Sequence, residues 1–282
     1  GAFYLKNSGK IGGGGHLVED VAVSGNGDNG VMVIGSDSVT IKRVEISDNG
    51  GTDSGTGISV WDSVGFHMSE SRVHGNNIIG FYAEGASCVL DRCLVTGTKD
   101  EDKAEGGGYG VNVHSSADLS LLDSAVMYNI DTEILVGTDS ELSVVRTLAA
   151  DNGFEAADTD QPGIAVQDGA TATIEEAVVR GNVGCGILIA DATAAITGSL
   201  ITGSRGVTGS SGRGIQVQVA GETSTVSSSF IVGNFGAGII VSDASLDLSH
   251  SVVAHTRGNL DGTDGRGLGL EVEASVSVDS CL

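Results

Sequence analysis

The sequence is short of basic residues and proline, and it has no long hydrophobic run. Only 14 of its 282 residues are Lys or Arg against 37 Asp and Glu, so the net charge is −23. Such an acidic chain, without a basic cluster, cannot neutralise a phosphate backbone, which excludes nucleic acid as a partner. No apolar run approaches the roughly 18 residues of a membrane-spanning helix, so this segment is not expected to insert into a membrane.

Cysteine is also scarce, and its spacing is not that of a metal site. Four cysteines, Cys88, Cys93, Cys185 and Cys281, form no C-x-x-C pair. Cys88 and Cys93 are close enough in sequence to form a disulfide, which would suit an exported protein. Buried free thiols that pack as small apolar groups explain the same residues equally well. The sequence leaves both interpretations open.

The chain instead holds 45 glycines, which recur at regular places among short runs of Val, Ile and Leu. Ten anchor positions are each followed by an apolar, a variable and another apolar residue, as in GISV, GILI and GIIV. The anchors are Gly30, Gly57, Gly80, Gly110, Glu133, Gly163, Gly186, Gly214, Gly238 and Gly267. They are 27, 23, 30, 23, 30, 23, 28, 24 and 29 residues apart, so shorter and longer repeats alternate.

A repeat of this length indicates the fold class. It is too short for a propeller blade and lacks the framework of a leucine-rich repeat. It suits three short strands joined by turns, with alternate residues such as Ile187 and Ile189 pointing inward. The sequence therefore predicts an all-β, single-stranded parallel β-helix of about ten coils, with longer loops on alternate coils. We expect one domain over 1–282, with an irregular N-terminal coil over 1–29 and regular coils over 30–282.

The third strand of each repeat ends at a polar column. Its members are Asn49, Asn76, Thr98, Asn129, Asn152, Asn182, Ser204, Asn234 and Thr256. Because coils stack about 4.8 Å apart, side-chain amides in such a column can hydrogen-bond to one another and to the backbone of the turns. We interpret the column as a structural asparagine ladder and not as a row of active-site residues.

The extra residues of the longer repeats follow the ladder position directly. They form five predicted loops, 49–56, 98–109, 152–162, 204–213 and 256–266, which should emerge along one edge about 9.6 Å apart, twice the strand spacing. A line of loops on a rigid scaffold is a common location for function. Arg213 and Arg266 close two of them, and we expect each to pair with a nearby Asp such as Asp264.

The anchored glycines, the S-x-V-x-G-N pattern of the third strands and the parallel stacking resemble the right-handed parallel β-helix proteins of the pectate-lyase-like superfamily. The resemblance covers residues 16–282 and is specific for the fold, which hosts many activities. The segments DGTDGRGL and SGRGI are also similar to glycine-rich bacterial surface proteins with β-helix repeats. These relatives mostly have no assigned activity, so this likeness implies a secreted or cell-surface location more than a chemistry.

Enzymes of that superfamily bind polysaccharide on the outward face of the first strand. In this chain the outward positions are mostly apolar or amide, apart from a cluster on three successive coils: Trp61, Tyr82, Glu84, Asn112 and His114. Trp61 and Tyr82 can stack on a sugar ring with Asn112 beside them. Glu84 and His114 are candidates for a proton-transfer pair, although an ordinary cross-strand polar pair is the simpler interpretation. No second acid lies near Glu84, as a glycosidase carboxylate pair would require.

Two of the predicted loops are rich in acidic residues. Their carboxylates are hard oxygen ligands of the kind that Ca²⁺ prefers, and the candidate ligands are Asp100, Asp102, Asp158 and Asp160. Lysines in the first loop would compete with the ion, and solvated acidic loops explain the composition as well. The sequence indicates no other cofactor.

Together these observations favour an extracellular or cell-surface protein that displays its loops for adhesion or glycan recognition, without catalysis. The alternative is a carbohydrate-active enzyme, a polysaccharide lyase, epimerase or hydrolase, that acts on the outer face of the first strands. The expected partner is a polysaccharide or another cell-surface molecule. Flanking domains of a longer chain are also expected, because neither end of the segment shows a capping element.

Overall fold

The computed structural model describes residues 2–6, 15–51, 55–100, 107–153, 161–206, 212–219, 222–258 and 265–282. In these residues the chain passes through three strands per turn. Each strand pairs in parallel with the strand one turn before it and one turn after it. Three parallel sheets result, and the described residues contain no helix.

The three sheets share the described strands as follows. The first sheet has eleven strands: β1 (Phe3–Lys6), β4 (Val31–Ile34), β7 (Thr56–Trp61), β10 (Ile79–Glu84), β13 (Tyr109–His114), β16 (Ile134–Val136), β19 (Ile164–Gln167), β22 (Cys185–Ala190), β25 (Arg213–Gln218), β28 (Ala237–Ser242) and β31 (Arg266–Glu271). The second sheet also has eleven: β2 (His16–Glu19), β5 (Val39–Lys42), β8 (Phe66–Ser69), β11 (Ser87–Asp91), β14 (Asp118–Leu122), β17 (Glu141–Val145), β20 (Thr171–Glu175), β23 (Thr193–Thr197), β26 (Ser224–Ser227), β29 (Ser245–Ser249) and β32 (Ser275–Asp279). The third has ten: β3 (Ala22–Ser24), β6 (Glu45–Ser47), β9 (Arg72–His74), β12 (Leu94–Thr96), β15 (Ala125–Met127), β18 (Leu148–Ala150), β21 (Val178–Arg180), β24 (Leu200–Thr202), β27 (Phe230–Val232) and β30 (Val252–Ala254).

The strand registers agree with the glycine anchors. Ile58 pairs with Phe81, which places Gly57 and Gly80 one above the other, and the later anchors follow the same column. The expectation of an irregular coil over 1–29 is corrected by β1, β2 and β3. These strands pair in register with β4, β5 and β6, so the described part of the N-terminal segment is already a regular coil.

Apolar residues fill the interior because their period matches that of a strand. In β22, Ile187 and Ile189 are fully buried, whereas Leu188 between them faces outward and is half-buried. A slip of one residue in the pairing would exchange the inward and outward sets, so this alternation specifies the register. Phe66 and Phe81 add an aromatic pair inside the rod, with ring centroids 5.9 Å apart.

The asparagine ladder is present and buried. Asn49 donates its backbone N–H and its Nδ2 to Asn76 Oδ1 at 3.1 and 2.8 Å, and Asn76 Nδ2 donates to two backbone carbonyls. Further along, the Ser204 N–H donates to Asn234 Oδ1 at 3.0 Å. These side chains satisfy backbone groups that water cannot reach, which gives the column a structural role.

A second ladder, made of hydroxyl groups, runs at the start of the third strands. Ser229 Oγ accepts from the Ser199 N–H, and Ser251 Oγ accepts from the Ser229 N–H, both at 3.1 Å. The sequence shows only that residues of this column are small. Their hydroxyls in fact connect one coil to the next.

Glu133 replaces glycine at one anchor, and its surroundings provide the space. At several other anchors a Cβ would meet the Val or Ile of the third strand, as at Gly110, where Val126 Cγ1 would be 2.5 Å away. In the coil of Glu133 the equivalent residue is Ala149. The fully buried Glu133 carboxylate accepts from the backbone N–H and the side-chain amide of Asn129. It therefore acts as a ladder acceptor, and burial raises its pKa well above the ordinary value.

One corner of the rod carries a column of alternating charge, the charge column. Between the second and third strands, seven successive coils place a charged residue with a φ of 47–58°: Asp20, Arg43, Glu70, Arg92, Asp123, Arg146 and Glu176. Each arginine bonds to the acid of the preceding coil: Arg43 Nε to Asp20 at 2.8 Å, Arg92 Nη2 to Glu70 at 3.2 Å and Arg146 Nε to Asp123 at 2.7 Å. From Arg43 onward, the arginines belong to the longer coils and the acids to the shorter coils. The structural period of this corner is therefore two coils.

All four cysteines are free thiols. Cys88, Cys93 and Cys185 are buried and Cys281 is partly exposed, so of the two interpretations the structure shows packed thiols and no Cys88–Cys93 disulfide. Burial raises the pKa of Cys93 to about 11. The described residues include no helix that could cross a bilayer.

Candidate functional site

The residues predicted from the sequence, Trp61, Tyr82, Glu84, Asn112 and His114, come together on the outer face of the first sheet. We call this group the aromatic patch. Strands β7, β10 and β13 carry it on three successive coils. Glu84 pairs in register with Trp61 on one side and with His114 on the other, and Tyr82 pairs with Asn112. All five residues are half-buried, so each presents part of its surface to solvent.

Three rings of the aromatic patch are in contact. The Tyr82 ring centroid lies 5.0 Å from that of Trp61, with the planes at 43°, and 5.0 Å from that of His114, with the planes at 77°. Tilted and edge-to-face arrangements at this distance are favourable for aromatic pairs. Within the described residues the buried Trp61 Nε1 has no hydrogen-bond partner, so ring packing positions the indole.

The polar groups of the aromatic patch bind to near neighbours. The Tyr82 hydroxyl donates to Glu84 Oε2 at 2.5 Å. Burial raises the pKa of Tyr82 above its usual value, and the hydrogen bond to Glu84 and the charge of Glu84 raise it further. His114 Nδ1 lies 2.9 Å from Ser115 Oγ. Tyr82 is therefore a neutral hydrogen-bond donor at neutral pH, and one oxygen of Glu84 accepts from it.

The calcium prediction falls largely on residues outside the described ranges. Asp100 is described, whereas Asp102, Asp158 and Asp160 are not. Across the residues that the structure describes, no group of three or more His, Cys, Asp or Glu side chains is placed to hold a metal ion. Asp131 lies near Asp100. Burial is the main cause that raises the pKa of Asp131, and the negative charge of Asp100 raises it further. A calcium site remains a prediction.

Among the described residues, the arginines that close two loops contact polar groups of their own strands, and the expected pairing with loop aspartates stays a prediction. Arg213 Nη1 donates to Gln216 Oε1 at 2.5 Å, and Arg266 Nη1 lies 3.8 Å from Glu271 Oε1. Asp264 lies outside the described residues. Gln216 belongs to the same strand as Arg213, and the sequence pattern gives no signal for this contact beyond the spacing of three residues.

The aromatic patch does not line any of three cavities that open between described residues. One of 770 Å³ lies along the charge column, and one of 410 Å³ lies on the second sheet beside Asp118 and Glu141. The third, of 200 Å³, lies on the first sheet between Arg213 and Arg266. The first sheet therefore carries two separate features that could contact a ligand, the aromatic patch and this smaller cavity.

Comparison with known families supports the predicted architecture. A family model described as "Right handed beta helix region" matches residues 1–149, 104–253 and 154–282. The overlapping matches span the whole chain. They confirm the right-handed parallel β-helix that the repeat pattern predicts. No curated protein is detectably similar in sequence.

Several solved structures share the fold at low sequence identity. The A-module of mannuronan C-5 epimerase AlgE4 from Azotobacter vinelandii has a TM-score of 0.57 and 12% identity, over 100% of this chain and 88% of that one. Pectate lyase Pel9A has a TM-score of 0.59 and 15% identity, over 89% of this chain and 64% of its own. The Dettilon tailspike protein gp208 has a TM-score of 0.60 and 13% identity, over 92% of this chain and 61% of the tailspike chain. This chain thus spans less than two thirds of the last two, and such identities show a common fold alone.

Proposed function

Since this chain belongs to the right-handed β-helix family, we propose that it is a non-catalytic rod that recognises glycans through the aromatic patch. The observation that carries the proposal is the contact between the rings of Trp61, Tyr82 and His114 on three neighbouring coils. The rigid sheet holds these rings in place, so binding orders few side chains and loses little conformational entropy.

The chemistry of the aromatic patch suits a sugar. Sugar rings have an apolar face that packs against aromatic rings, and hydroxyl groups that need hydrogen-bond partners. Glu84 and Asn112 supply polar atoms beside the rings. Two structural neighbours are named for polysaccharide substrates, mannuronan and pectate, which supports a glycan as the ligand class.

The state of Tyr82 argues against a role for this residue as a general base. A general base works best with a pKa near the operating pH, but burial and Glu84 move the pKa of Tyr82 upward, away from neutrality. Among the described outward positions of the first sheet the other acid is Glu271, seven strands away from Glu84. A pair of carboxylates spaced for glycoside hydrolysis is therefore not formed by these residues.

A glycan array, followed by calorimetric titration of the leading glycan, tests the proposal. Trp61→Ala should weaken binding about tenfold, which corresponds to about 1.4 kcal/mol. Phe230→Ala is the control, because Phe230 is another aromatic side chain, 54% exposed on the third sheet and far from the aromatic patch. Equal losses in the two variants, or a wild-type protein that binds no glycan, would refute the proposal.

The enzyme alternative is favoured by one observation, the register pairing of Glu84 with His114. This pairing brings a carboxylate and an imidazole to neighbouring coils. Turnover of a uronate polymer should be assayed by ultraviolet absorbance for a lyase, NMR for an epimerase and reducing ends for a hydrolase. Activity that falls at least about 100-fold in both Glu84→Gln and His114→Asn would establish the enzyme. Unchanged turnover in these variants would exclude this pair.

The proposal extends to location and partners. A glycan-recognising rod acts where polysaccharides are exposed, so we propose that the protein is secreted or displayed at a cell surface. Protease treatment of intact cells, with detection by an antibody, tests this. Loss of the signal without cell lysis supports display, recovery of the protein from the medium supports secretion, and full protection inside the cell contradicts both.

A further inference from the structure

We propose that the cavity between Arg213 and Arg266 is an anion subsite that binds the carboxylate of an acidic sugar. It lies on the same face of the first sheet as the aromatic patch, centred on β28, six strands beyond β10. At the strand spacing this separation is about 29 Å. The inference rests on the proposed glycan recognition and deepens it by naming the charge of the ligand.

Three successive coils build the cavity. Arg213 on β25 and Arg266 on β31 both pair in register with Ala237 on β28. The small Ala237 side chain therefore lies between two strands that each carry a guanidinium group. Gln216, Ile240, Gly236 and Glu271 also line the cavity, which is open to solvent on one side and has a volume of 200 Å³. Pockets for drug-sized ligands are typically 300–1,000 Å³, so this one suits a single charged group or sugar ring.

A missing side chain keeps one side of the cavity open. Gly269 on β31 pairs with Ile240, at a position where other coils place an outward side chain. A Cβ on Gly269 would lie 2.6 Å from Ile240 Cδ1. Glycine is thus required for the present position of Ile240, and Gly269 itself places no side chain over the cavity.

The guanidinium of Arg213 is held before any ligand arrives. Arg213 Nη1 donates to Gln216 Oε1 at 2.5 Å, and Gln216 Nε2 donates to Gln218 Oε1 at 2.5 Å. Because Gln216 Nε2 donates to Gln218, Gln216 Oε1 is the atom that faces the arginine. A guanidinium is a planar fork whose N–H groups match the two oxygens of a carboxylate. A side chain that is already ordered loses less entropy when it binds.

The charge of the cavity is opposite to that of the molecule. The net charge of the chain is −23, and after residue 200 it has four basic residues, Arg205, Arg213, Arg257 and Arg266. Among the described residues that line this cavity, two are arginines of this set, Arg213 and Arg266, and one is acidic, Glu271. Most of the surface repels an anion, so an acidic ligand is attracted to this place in particular. Carboxylates occur both within uronate chains and on terminal acidic sugars, and the experiment separates these sources.

The test measures binding of three saccharides by calorimetry: hexagalacturonate, its methyl ester and sialyllactose. Arg213→Gln and Arg266→Gln should each weaken binding of the acidic saccharide about tenfold or more and should change binding of the methyl ester less than about twofold. A preference for hexagalacturonate identifies an internal uronate, and a preference for sialyllactose identifies a terminal acid. A higher salt concentration should weaken binding of the acidic saccharide and leave binding of the methyl ester unchanged.

Matched controls remove the same charge outside the cavity. Arg205→Gln and Arg257→Gln alter arginines at the other ends of the same two loops, and Arg257 lies over the Phe235 ring at 5.6 Å from its centroid. These controls should bind like the wild type. The proposal is overturned if the controls lose as much affinity for the acidic saccharide as the cavity variants do. It is also overturned if the cavity variants lose affinity equally for the methyl ester and for the acidic saccharide.

Failure of this subsite can be distinguished from failure of the aromatic patch. If Trp61→Ala binds normally while Arg213→Gln and Arg266→Gln lose the acidic saccharide, the aromatic patch is wrong and the subsite stands. If the wild type binds none of the three saccharides, saturation-transfer NMR with glucuronate and glucose decides the subsite separately. A glucuronate signal that Arg213→Gln removes supports it, and equal signals for the two sugars, or no signal, overturn it.

Discussion

Replacing Asn76 by alanine tests how much the asparagine ladder stabilises the rod. Asn76 Oδ1 accepts from the backbone N–H and the side-chain amide of Asn49, and its Nδ2 donates to the carbonyls of Ile46 and His74. Asn76 is completely buried, so water cannot replace these partners. Alanine leaves at least the Asn49 N–H and the Ile46 carbonyl without their Asn76 partner. At about 1–3 kcal/mol for each unpaired group, the free energy of unfolding should fall by about 2–6 kcal/mol.

Two measurements check this value. Urea unfolding followed by circular dichroism gives the change in overall stability, and hydrogen exchange gives the local change at the Asn49 amide. A loss of about 2 kcal/mol corresponds to roughly 30-fold faster exchange there. In a solenoid each repeat contacts its neighbours alone, so the Ser229 amide several coils away should keep its protection.

Thr98→Ala is the matched control in the same column. Thr98 reaches the next rung through its backbone N–H, which donates to Asn129 Oδ1 at 2.9 Å, and alanine retains that bond. Thr98→Ala should lower the free energy of unfolding by about 1 kcal/mol, as most substitutions do. If Asn76→Ala costs no more than Thr98→Ala, the side-chain bonds of the ladder contribute little and the reasoning is refuted.

Three further predictions concern buried groups. Ser204 Oγ is buried without a hydrogen-bond partner in the described part of the chain, so Ser204→Asn should restore an amide rung. It should raise the melting temperature by about 2–4 °C in calorimetry, as for a gain of about 1 kcal/mol, and a lower melting temperature would show that asparagine does not fit this coil. Burial raises the folded-state pKa of Glu133 above its unfolded value near 4.5, so ionisation costs stability as the pH rises from 4.5 towards the folded pKa. Glu133→Gln should therefore have a higher melting temperature than the wild type at pH 8 and lose this advantage at pH 4, and a difference independent of pH would contradict the sign. Burial also raises the pKa of the Cys88 thiol, so a thiol reagent at pH 8 should label the partly exposed Cys281 well before Cys88 in the native protein. Mass spectrometry of the labelled peptides measures this order, and equal labelling would show that the coil around Cys88 opens readily.

Much of the fold can be predicted because the repeat has a single physical cause. Each coil must bury its apolar residues against the next, so the same pattern returns in every coil. The pattern even tolerates Glu133 at an anchor, because Ile134 and Val136 keep the alternation and are fully buried. The outward set follows from the same alternation, and the structure pairs Tyr82 with Asn112 as that set requires.

Side-chain partners are harder to predict than register. The hydrogen bond from Tyr82 to Glu84 depends on two rotamers, which spacing does not determine. The sequence does not predict that Arg213 donates to Gln216, because a long side chain on a strand reaches polar groups along its own strand as easily as those in a loop. The small side chain of Ala149 leaves space for Glu133. This cannot be predicted from the sequence without knowing which strands of one coil face each other.

The alternation in the charge column restricts how the length of this rod can change. Deletion of one coil within the charge column would bring arginine beside arginine or acid beside acid at that corner, and like charges on neighbouring strands are destabilising. The same deletion would make two short or two long coils adjacent. Deletion or duplication of two coils, about 50 residues, rejoins opposite charges and preserves the spacing of the loops. Coils within the charge column should therefore be gained or lost in pairs, so that homologous rods differ there by even numbers of coils.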